Sequence, residues 1–365
     1  PYCDFNSHQH EPQNIPEDDY VDALLRDLET ALPSVWGRSV STIFIGGGTP
    51  SLFSAAAIDR LLAGVRARLP LLPDAEITLE ANPGTAEQAQ FSGYREAGVN
   101  RLSLGIQSFH TPALQRLGRI HDADHAHRAI EMARHAGFDN FNLDLMFGLP
   151  DQSLEASQDD LRQAIEHSPT HVSFYQLTLE PNTLFHHQPP QLPKSDLIWQ
   201  MQVDGAALLA KSGFEQYEVS AFAAKDRQCK HNRNYWEFGD YLGIGAGAHG
   251  KITDMSAQQV NRTTRQRHPD QYLNAQIEQI SSTRSLSVDE LTFEFMLNAL
   301  RLNHGFTKNL FEQRTGLPRQ ALEPQITQLV DEKLLQQCGE IFLPSDLGRQ
   351  FLNDLISRFL PDEPN

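Results

Sequence analysis

Residues 41–50 read STIFIGGGTP, a short run of β-branched and aromatic residues that ends directly in three glycines. Further apolar runs follow it, namely EITLE from Glu76, RLSLGI from Arg101, FNLDLMF from Phe141 and HVSFYQL from His171. Between them lie segments with the periodicity of amphipathic helices, at 55–69, 85–97, 123–135 and 154–165. This alternation predicts a βα repeat with a parallel sheet whose strands are apolar on both faces.

Polar or small residues stand at the carboxyl end of nearly every predicted strand. In a parallel barrel these ends meet at one mouth, where ligands bind. We therefore favour an α/β fold with a (β/α) barrel over the alternative, a doubly wound open sheet. The residues concerned are Gly46, Gly47 and Gly48 after the first strand, Glu80 and Asn82 after the second, Gln107 and Ser108 after the third, Asp144 within the fourth and Gln176 in the fifth.

The composition changes after Gly250, where Gln, Asn and Arg dominate residues 258–279. The apolar pattern then predicts, in order, helices at 291–302 and 318–333, the strand EIFL from Glu340 and a last helix at 348–359. Helices followed by a short hairpin are typical of a small, mainly helical, winged-helix-like domain. We therefore predict two domains, a barrel with its extension over residues 1–250 and a C-terminal domain over residues 251–365.

The composition excludes several classes of function. The 365 residues carry a formal charge of -17, and nucleic-acid binding needs clustered Lys and Arg, so we exclude nucleic acid as a partner. Mean hydropathy is -0.45 and no apolar stretch approaches the roughly 18 residues of a membrane span, so we expect a cytoplasmic protein. Cys3, Cys229 and Cys338 are far apart and form no CxxC pair, which leaves reduced thiols or metal ligands.

The glycine triplet at 46–48 and two carboxylates indicate a ligand site. The triplet directly follows a strand, which lets backbone amides approach a polar ligand; a tight βα turn is the alternative explanation. Glu80 and Asp144 lie in or at the end of apolar strands, where an unpaired charge is costly. They therefore predict a ligand with hydroxyl or ammonium groups, or else a structural ion pair with Arg101 or Arg119.

A series of short motifs occurs in a fixed order over about the first 250 residues: PYCDFNSH, IFIGGGTPS, ITLEANP, NRLSLGIQSF, LGRIH, NLDLMFGLP and HNRNYW. Together they resemble the HemN/HemW branch of the radical S-adenosylmethionine (SAM) superfamily. The resemblance implies a partial (β/α)6 barrel, a [4Fe-4S] cluster held by CxxxCxxC, and SAM bound to the open iron. Cys3 matches the third cysteine of this motif. The first two match positions upstream of Pro1, so the sequence as given is expected not to complete the ligand set.

The resemblance also implies site residues, one motif position at a time. Gly46, Gly47 and Thr49 match positions that hold SAM near its amino acid end, and Asp144 matches the partner of the ribose hydroxyls. Phe5 matches an aromatic residue that packs by the adenine. The remaining SAM contacts of the family are matched by Glu80, Gln107 and Arg119.

The branch contains two functions on one barrel. One is an oxygen-independent coproporphyrinogen III dehydrogenase of haem synthesis, and the other is a chaperone that binds haem and delivers it to apoproteins. The dehydrogenases carry a further cysteine two positions after the third cluster ligand, where this chain has Phe5. His121, two residues after Arg119, and the motif HNRNYW at 231–236 resemble the chaperones. The resemblance therefore implies a haem chaperone, with the dehydrogenase as the alternative, and leaves undecided whether the chain is an enzyme.

The motif at 231–236 has the chemistry that haem requires. A neutral His231 imidazole can ligate iron, while Tyr235 and Trp236 offer aromatic faces to a porphyrin. A packed, hydrogen-bonded histidine is the alternative explanation of the same residues. Further candidate ligands are Cys229, His249, His8 and His10.

The implied partners are haem and haem-accepting apoproteins such as respiratory cytochromes. Because some of these acceptors are bound to membranes, peripheral association with a membrane stays open beside the cytoplasmic location. The acidic surface leaves a homodimer open as well.

Overall fold

A computed structural model describes residues 1–3, 15–84, 89–274, 278–323 and 325–361. Phe5, His8 and His10, which the sequence singles out, lie outside these described residues. Contacts within the chain divide it into two units. The barrel unit comprises Pro1–Asp22, Arg38–Gln216 and Ser220–Cys229, and the C-terminal unit comprises Ala23–Gly37, Tyr217–Val219 and Lys230–Asn365.

A seven-stranded sheet organises the first part of the chain. Its strands are β1 (Val40–Ile45), β2 (Leu71–Ala81), β3 (Arg101–Gln107), β4 (Phe141–Phe147), β5 (His171–Gln176), β6 (Glu215–Glu218) and β7 (Ala221–Ala223). The strand order is β1-β2-β3-β4-β5-β7-β6, in which β1 to β5 are parallel neighbours and β7 pairs antiparallel with β5. The predicted βα repeat with a parallel sheet is therefore confirmed.

Helices connect the consecutive parallel strands, and their ends follow ordinary capping chemistry. Ser54, Asp122 and Ser153 each accept a hydrogen bond from a backbone amide in the first turn of the helix that follows. Gly98 ends another helix in the left-handed conformation, with φ 105°. The helices of this part are α1 (Glu17–Ala31), α2 (Ala55–Arg68), α3 (Phe91–Ala97), α4 (Thr111–Arg116), α5 (Ala123–His135), α6 (Leu154–Glu166), α7 (Leu184–His187) and α8 (Ser195–Lys211).

The two faces of the parallel strands differ in polarity. One face carries apolar side chains such as Leu79, Leu102, Leu143 and Phe174, which share a buried cluster with residues of the connecting helices. At the alternate positions stand Glu76, Thr78 and Glu80 in β2, Arg101 and Ser103 in β3, Asn142 and Asp144 in β4, and His171 and Ser173 in β5. The expectation of strands that are apolar on both faces is therefore wrong. The interior of this partial barrel lines a cavity instead of being filled by bulky apolar side chains.

Two antiparallel sheets of three strands lie in the C-terminal unit. The first comprises β8 (His249–Asp254), β9 (Gln259–Arg265) and β10 (Ile280–Ser285), with β9 in the middle. The second comprises β11 (Phe306–Thr307), β12 (Leu335–Cys338) and β13 (Ile341–Pro344), with β13 in the middle. Only β9 lies within the Gln-, Asn- and Arg-rich stretch, and the sequence analysis predicts none of the three strands of this sheet.

Helices of the C-terminal unit surround the buried ring of Phe295. This ring meets Phe238, Phe306 and Phe311 edge to face. The helices are α9 (Lys230–Trp236), α10 (Pro269–Leu273), α11 (Val288–Ala299), α12 (Lys308–Thr315), α13 (Gln325–Asp331), α14 (Asp346–Gln350) and α15 (Leu352–Ser357). Together with the β12–β13 hairpin they confirm the predicted mainly helical, winged-helix-like domain. None of the helices in the described part of the chain combines the length and the apolar composition needed to span a membrane.

A buried ion pair connects the second half of α1 to β9 and α10 within the C-terminal unit. Arg265 Nε lies 3.0 Å from both carboxylate oxygens of Asp27, and the Tyr272 hydroxyl donates to Asp27 Oδ2 at 2.9 Å. Arg265 Nη1 also donates to Thr263 Oγ1 at 2.9 Å. The charged side chains are only 2% and 1% exposed. Both charges are tolerated in the interior because each is matched and hydrogen-bonded.

Candidate functional site

A cavity of about 390 Å³ opens at the carboxyl ends of β1 to β5 in the barrel unit. This is the edge at which parallel α/β folds bind their ligands. Most of the site residues that the sequence analysis predicts come together here. The predicted residues that line the cavity are Cys3, Gly47, Gly48, Thr49, Glu80, Asn82, Gln107, Arg119, Asp144 and Gln176.

The first two glycines of the triplet support one carboxylate of the cavity wall. A Cβ placed on Gly46 would lie 2.6 Å from Phe44 Cε1 and 2.9 Å from Glu80 Oε2, so any side chain here would displace its neighbours. Gly47 has φ 115°, which only glycine adopts easily, and its backbone amide donates to Glu80 Oε2 at 3.2 Å. One position therefore needs glycine for space and the other for its backbone conformation.

Two carboxyl groups in the cavity have raised pKa values. Burial raises the pKa of Glu80 to about 7, and the negative charge of Asp144 adds to the rise. Burial also raises the pKa of Asp144, although Ser103 and Asn142 donate hydrogen bonds to its two oxygens. Two buried carboxyl groups with raised pKa values favour a ligand that brings a cation or hydroxyl groups.

Arg119 and Asn82 form a second polar group on the cavity wall. Arg119 Nη2 donates to Asn82 Oδ1 at 2.5 Å and to the carbonyl oxygen of Gly105 at 3.5 Å. Asn82 Nδ2 in turn donates to Thr49 Oγ1 at 3.4 Å. These bonds join the ends of β1, β2 and β3 and hold a guanidinium at the cavity, where it can meet an anionic group of a ligand.

Gln107 combines a strained backbone with an unsatisfied acceptor. Its φ of 63° lies in the left-handed region, which residues other than glycine seldom adopt. Its side-chain oxygen, Oε1, is buried and has no hydrogen-bond partner within the described residues. A Cβ on Gly105, two residues earlier, would lie 2.9 Å from Gln107 Nε2, so a larger residue there would shift the Gln107 side chain. Strain and an orphaned acceptor at one residue of a cavity indicate a donor that a ligand supplies.

The cavity also contains residues that the sequence analysis does not predict, chiefly Tyr2, Ser103 and Tyr175. Burial raises the pKa of both tyrosine hydroxyls, which therefore stay protonated and can donate. The two-residue alternation along β3 and β5 was the signal that could have found Ser103 and Tyr175, since both share a face with other cavity residues. Cys3 is exposed at the cavity. In the described ranges, no three His, Cys, Asp or Glu side chains are grouped so that they could hold a metal ion.

Glu80→Gln is expected to stabilise the protein at about pH 8 by about 1 to 3 kcal/mol, and by much less near pH 4.5. The Glu80 pKa is about 7 in the folded chain against an ordinary value of 4.5, so the folded state binds the proton more tightly. The Glu80 carboxyl therefore contributes to the free energy of unfolding of the wild type at low pH, and this contribution is lost as the pH rises from 4.5 to 7. The amide has no charge to bury. Urea unfolding at several pH values measures the difference.

The control for this prediction is Glu96→Gln, at an exposed carboxylate on α3. We expect no pH-dependent gain for this variant, because a solvated carboxylate loses little on folding. If Glu80→Gln changed the free energy of unfolding equally at all pH values, burial of the Glu80 charge would not be the cause of the change.

The motif at 231–236 forms the short helix α9 in the C-terminal unit. The rings of His231 and Tyr235, one helical turn apart, meet edge to face with centroids 4.8 Å apart. Tyr235 also contacts the ring of Tyr241, and burial raises its pKa to about 12. The Arg301 guanidinium lies 4.3 Å from the centroid of the Trp236 ring. The structure thus brings a histidine and two aromatic side chains of the motif together on one helix.

Residues after the motif fix the end of α9 on β8. Asn234 Nδ2 donates to the carbonyl oxygen of Asp240 at 3.0 Å, and a Cβ on Gly239 would lie 2.0 Å from Asn234 Oδ1. The Asp240 carboxylate accepts from Lys251 Nζ and from the Thr253 amide, each at 2.8 Å. Asn234 therefore acts through its amide as an anchor, and Gly239 gives that amide room.

The other histidine and cysteine candidates lie elsewhere. Cys229 is buried in the barrel unit, where its Sγ lies 3.4 Å from Glu76 Oε1. His249 is exposed at the start of β8, and Cys338 is exposed on β12. His121 is buried with its Nε2 3.1 Å from the carbonyl oxygen of Ile106, and burial lowers its pKa to about 4.

Two family models match separate parts of the chain. The model for the radical SAM superfamily matches residues 1–164, and the model for the HemN C-terminal domain matches residues 286–351. The chain is also similar to a solved structure described as coproporphyrinogen III oxidase (HemN) from Escherichia coli, a radical SAM enzyme. That likeness has a TM-score of 0.80 at 24% identity and covers 98% of this chain and 86% of the other. It supports the partial barrel as the fold.

Similarity to curated proteins extends over the whole chain. The chain is 49% identical to "Heme chaperone HemW" of Escherichia coli over 362 residues, which cover 99% of this chain and 95% of the relative. It is 47% identical to the protein of the same name in Haemophilus influenzae, with 100% and 95% covered. It is 36% identical to the mouse "Radical S-adenosyl methionine domain-containing protein 1, mitochondrial", with 89% and 74% covered. Membership of the radical SAM superfamily implies a [4Fe-4S] cluster and SAM, and the full-length identities show that this chain belongs to the HemW family.

Proposed function

We propose that this protein is a haem chaperone that binds haem at α9 and passes it to apoproteins such as respiratory cytochromes. The observation that carries the proposal is the arrangement of His231, Tyr235 and Trp236 on one anchored helix. An imidazole is a common iron ligand, and aromatic rings pack well on a porphyrin. The names of the two bacterial relatives support the same function. We place the transfer in the cytoplasm, with membrane-bound acceptors reached at the membrane surface.

The cavity of the barrel unit is suited to SAM in charge and in hydrogen bonding. Glu80 would meet the cationic end of SAM, and Asp144 would accept from the ribose hydroxyls. Arg119 and the unsatisfied acceptor of Gln107 offer further contacts. Gly46, Gly47 and Thr49 would hold SAM near its amino acid end, since Gly47 leaves the backbone open to a ligand and Gly46 gives the Glu80 carboxylate room.

Cys3 would supply one thiolate to the [4Fe-4S] cluster, because this exposed thiol lies on the cavity wall. A bound cluster would give the site one-electron redox chemistry next to the sulfonium of SAM. The protein itself would orient SAM and place uncharged hydrogen-bond donors beside it. The raised pKa values of Tyr2 and Tyr175 suit those two hydroxyls to that task.

Titration of the purified protein with haem, followed by absorbance, tests the chaperone function. We expect saturable binding by the wild type and at least about tenfold weaker binding by His231→Ala, because the iron loses its protein ligand. His249→Ala removes an exposed histidine of the same unit and is expected to bind haem like the wild type.

Unchanged haem affinity in His231→Ala would remove His231 from the haem site. The dehydrogenase alternative is tested with cluster-reconstituted protein, SAM, a reductant and coproporphyrinogen III. We expect no decarboxylated product, and formation of that product would favour the enzyme over the chaperone.

A further inference from the structure

The amide of Asn142 links the cavity to a histidine behind it. Asn142 Nδ2 lies 2.8 Å from Asp144 Oδ1 and 2.8 Å from Ser103 Oγ, and Ser103 Oγ donates to Asp144 Oδ2 at 3.1 Å. On the other side, Asn142 Oδ1 lies 2.6 Å from His171 Nδ1 and 3.1 Å from Ser173 Oγ. Asp144 and Ser103 line the cavity, whereas His171 is fully buried. The contacts form one continuous chain from the cavity to His171.

The hydrogen bonds between the cavity and His171 have a defined direction. A carboxylate only accepts, so the group of Asn142 that faces Asp144 must be its NH2. The amide oxygen then faces His171, whose Nδ1 must carry the hydrogen. Burial lowers the pKa of His171 well below its ordinary value, and the nearby Arg101 charge lowers it further. His171 is therefore neutral, with its single ring hydrogen on Nδ1.

Loss of this donor would remove one of the two groups that hold the Asn142 amide oxygen, so the amide would be fixed less firmly beside Asp144. Were the amide to turn over, its oxygen would face the Asp144 carboxylate, and two acceptors would repel each other. Without the His171 donor, Ser173 alone would hold Asn142 Oδ1 in place. A hydroxyl can donate or accept and therefore does not select one orientation, whereas the Nδ1–H of a neutral imidazole selects it.

We propose that His171 is a positioning residue that acts through Asn142 to orient the Asp144 carboxylate toward the ribose hydroxyls of an adenosine ligand. This inference rests on the proposed SAM site. His171 touches no ligand itself. It therefore affects the binding only of ligands whose ribose hydroxyls donate hydrogen bonds to Asp144.

The test compares two probes, methylthioadenosine and its 2′-deoxy counterpart, by calorimetric binding to the full chain. Wild-type protein is expected to prefer the ribose probe. His171→Phe keeps the ring and removes the donor, and we expect the ribose probe to bind about tenfold more weakly, a loss typical of one buried hydrogen bond. The deoxy probe is expected to change less than about twofold. His171→Asn, which can place an amide donor near the Nδ1 position, is expected to restore much of the preference.

Val172→Ala is the matched control, because Val172 is the neighbour of His171 on β5 and faces the apolar cluster. It is expected to lower the unfolding temperature without changing the ratio of the two affinities. Asn142→Leu breaks the same link from its other end and gives a second variant should His171→Phe not fold. It is expected to reduce the ratio as His171→Phe does.

Asp144→Asn separates the two levels of the inference. If this variant leaves the ratio of affinities unchanged, the proposed adenosine site is wrong, and the role of His171 is wrong with it. If Asp144→Asn abolishes the preference while His171→Phe and Asn142→Leu keep it, only the positioning role is overturned. Both the adenosine site and the positioning role are supported if Asp144→Asn, His171→Phe and Asn142→Leu all lose the preference for the ribose probe. The Asp144→Asn/His171→Phe double variant should then show no further loss.

Discussion

Asp27→Ala is expected to lower the free energy of unfolding by about 3 to 5 kcal/mol, because it leaves a buried guanidinium without its partner. Arg265 is only 2% exposed, and its Nε has both Asp27 oxygens at 3.0 Å. The same substitution deprives the buried Tyr272 hydroxyl of its acceptor. Urea unfolding of the purified protein, followed by circular dichroism, measures the loss.

Two variants check the cause of this loss. Asp18→Ala removes an exposed partner of Arg60 and is expected to cost at most about 0.5 kcal/mol, as surface ion pairs do. Asp27→Leu combined with Arg265→Met replaces both charges by apolar groups and is expected to recover most of the stability. A loss of less than about 1 kcal/mol for Asp27→Ala would contradict the prediction, since it would mean that water reaches Arg265.

Gly46→Val is expected to weaken SAM binding by at least about thirtyfold, equivalent to about 2 kcal/mol. A Cβ at this position would lie 2.6 Å from Phe44 Cε1 and 2.9 Å from Glu80 Oε2, and valine adds two methyl groups to it. The Glu80 carboxylate would be pushed away from the Gly47 amide that it accepts from. Equilibrium dialysis with labelled SAM measures the affinity.

Gly93→Val provides a matched steric change outside the cavity. A Cβ on Gly93 would lie 2.5 Å from the Cβ of Ala55, between two helices. We expect this variant to be destabilised while its SAM affinity stays within about twofold of the wild type. Equal losses of affinity in both variants would mean that Gly46→Val acts through general destabilisation and that the glycine triplet has no direct role.

The βα part of the fold is predictable because hydrophobic pattern and capping agree along it. β4 spans Phe141–Phe147, the same residues as the run FNLDLMF, and α5 begins directly after its N-cap Asp122. The sheet of β8, β9 and β10 is not predictable in this way. β10 exposes nearly all of its side chains, so backbone hydrogen bonds hold it and no apolar alternation marks it.

From the sequence, only those site residues that stand at the carboxyl ends of the parallel strands can be predicted. Parallel strands bring their carboxyl ends to one edge, which places Glu80 near Asp144 without knowledge of the coordinates. The left-handed backbone of Gln107 and the contact of Cys229 with Glu76 depend on tertiary packing. No local pattern encodes them, because the two partners of the second contact are 153 residues apart.

The unequal faces of β4 have a consequence for folding. A slip of β4 by one residue against its neighbours would carry Asn142 and Asp144 into the apolar layer beside the helices and turn Leu143 toward water. Burial of an unpaired carboxylate costs several kcal/mol, so the misaligned sheet is strongly disfavoured. The polar side chains of the cavity thereby encode the alignment of the strands. Variants that make the cavity apolar should fold with less fidelity even where they gain stability.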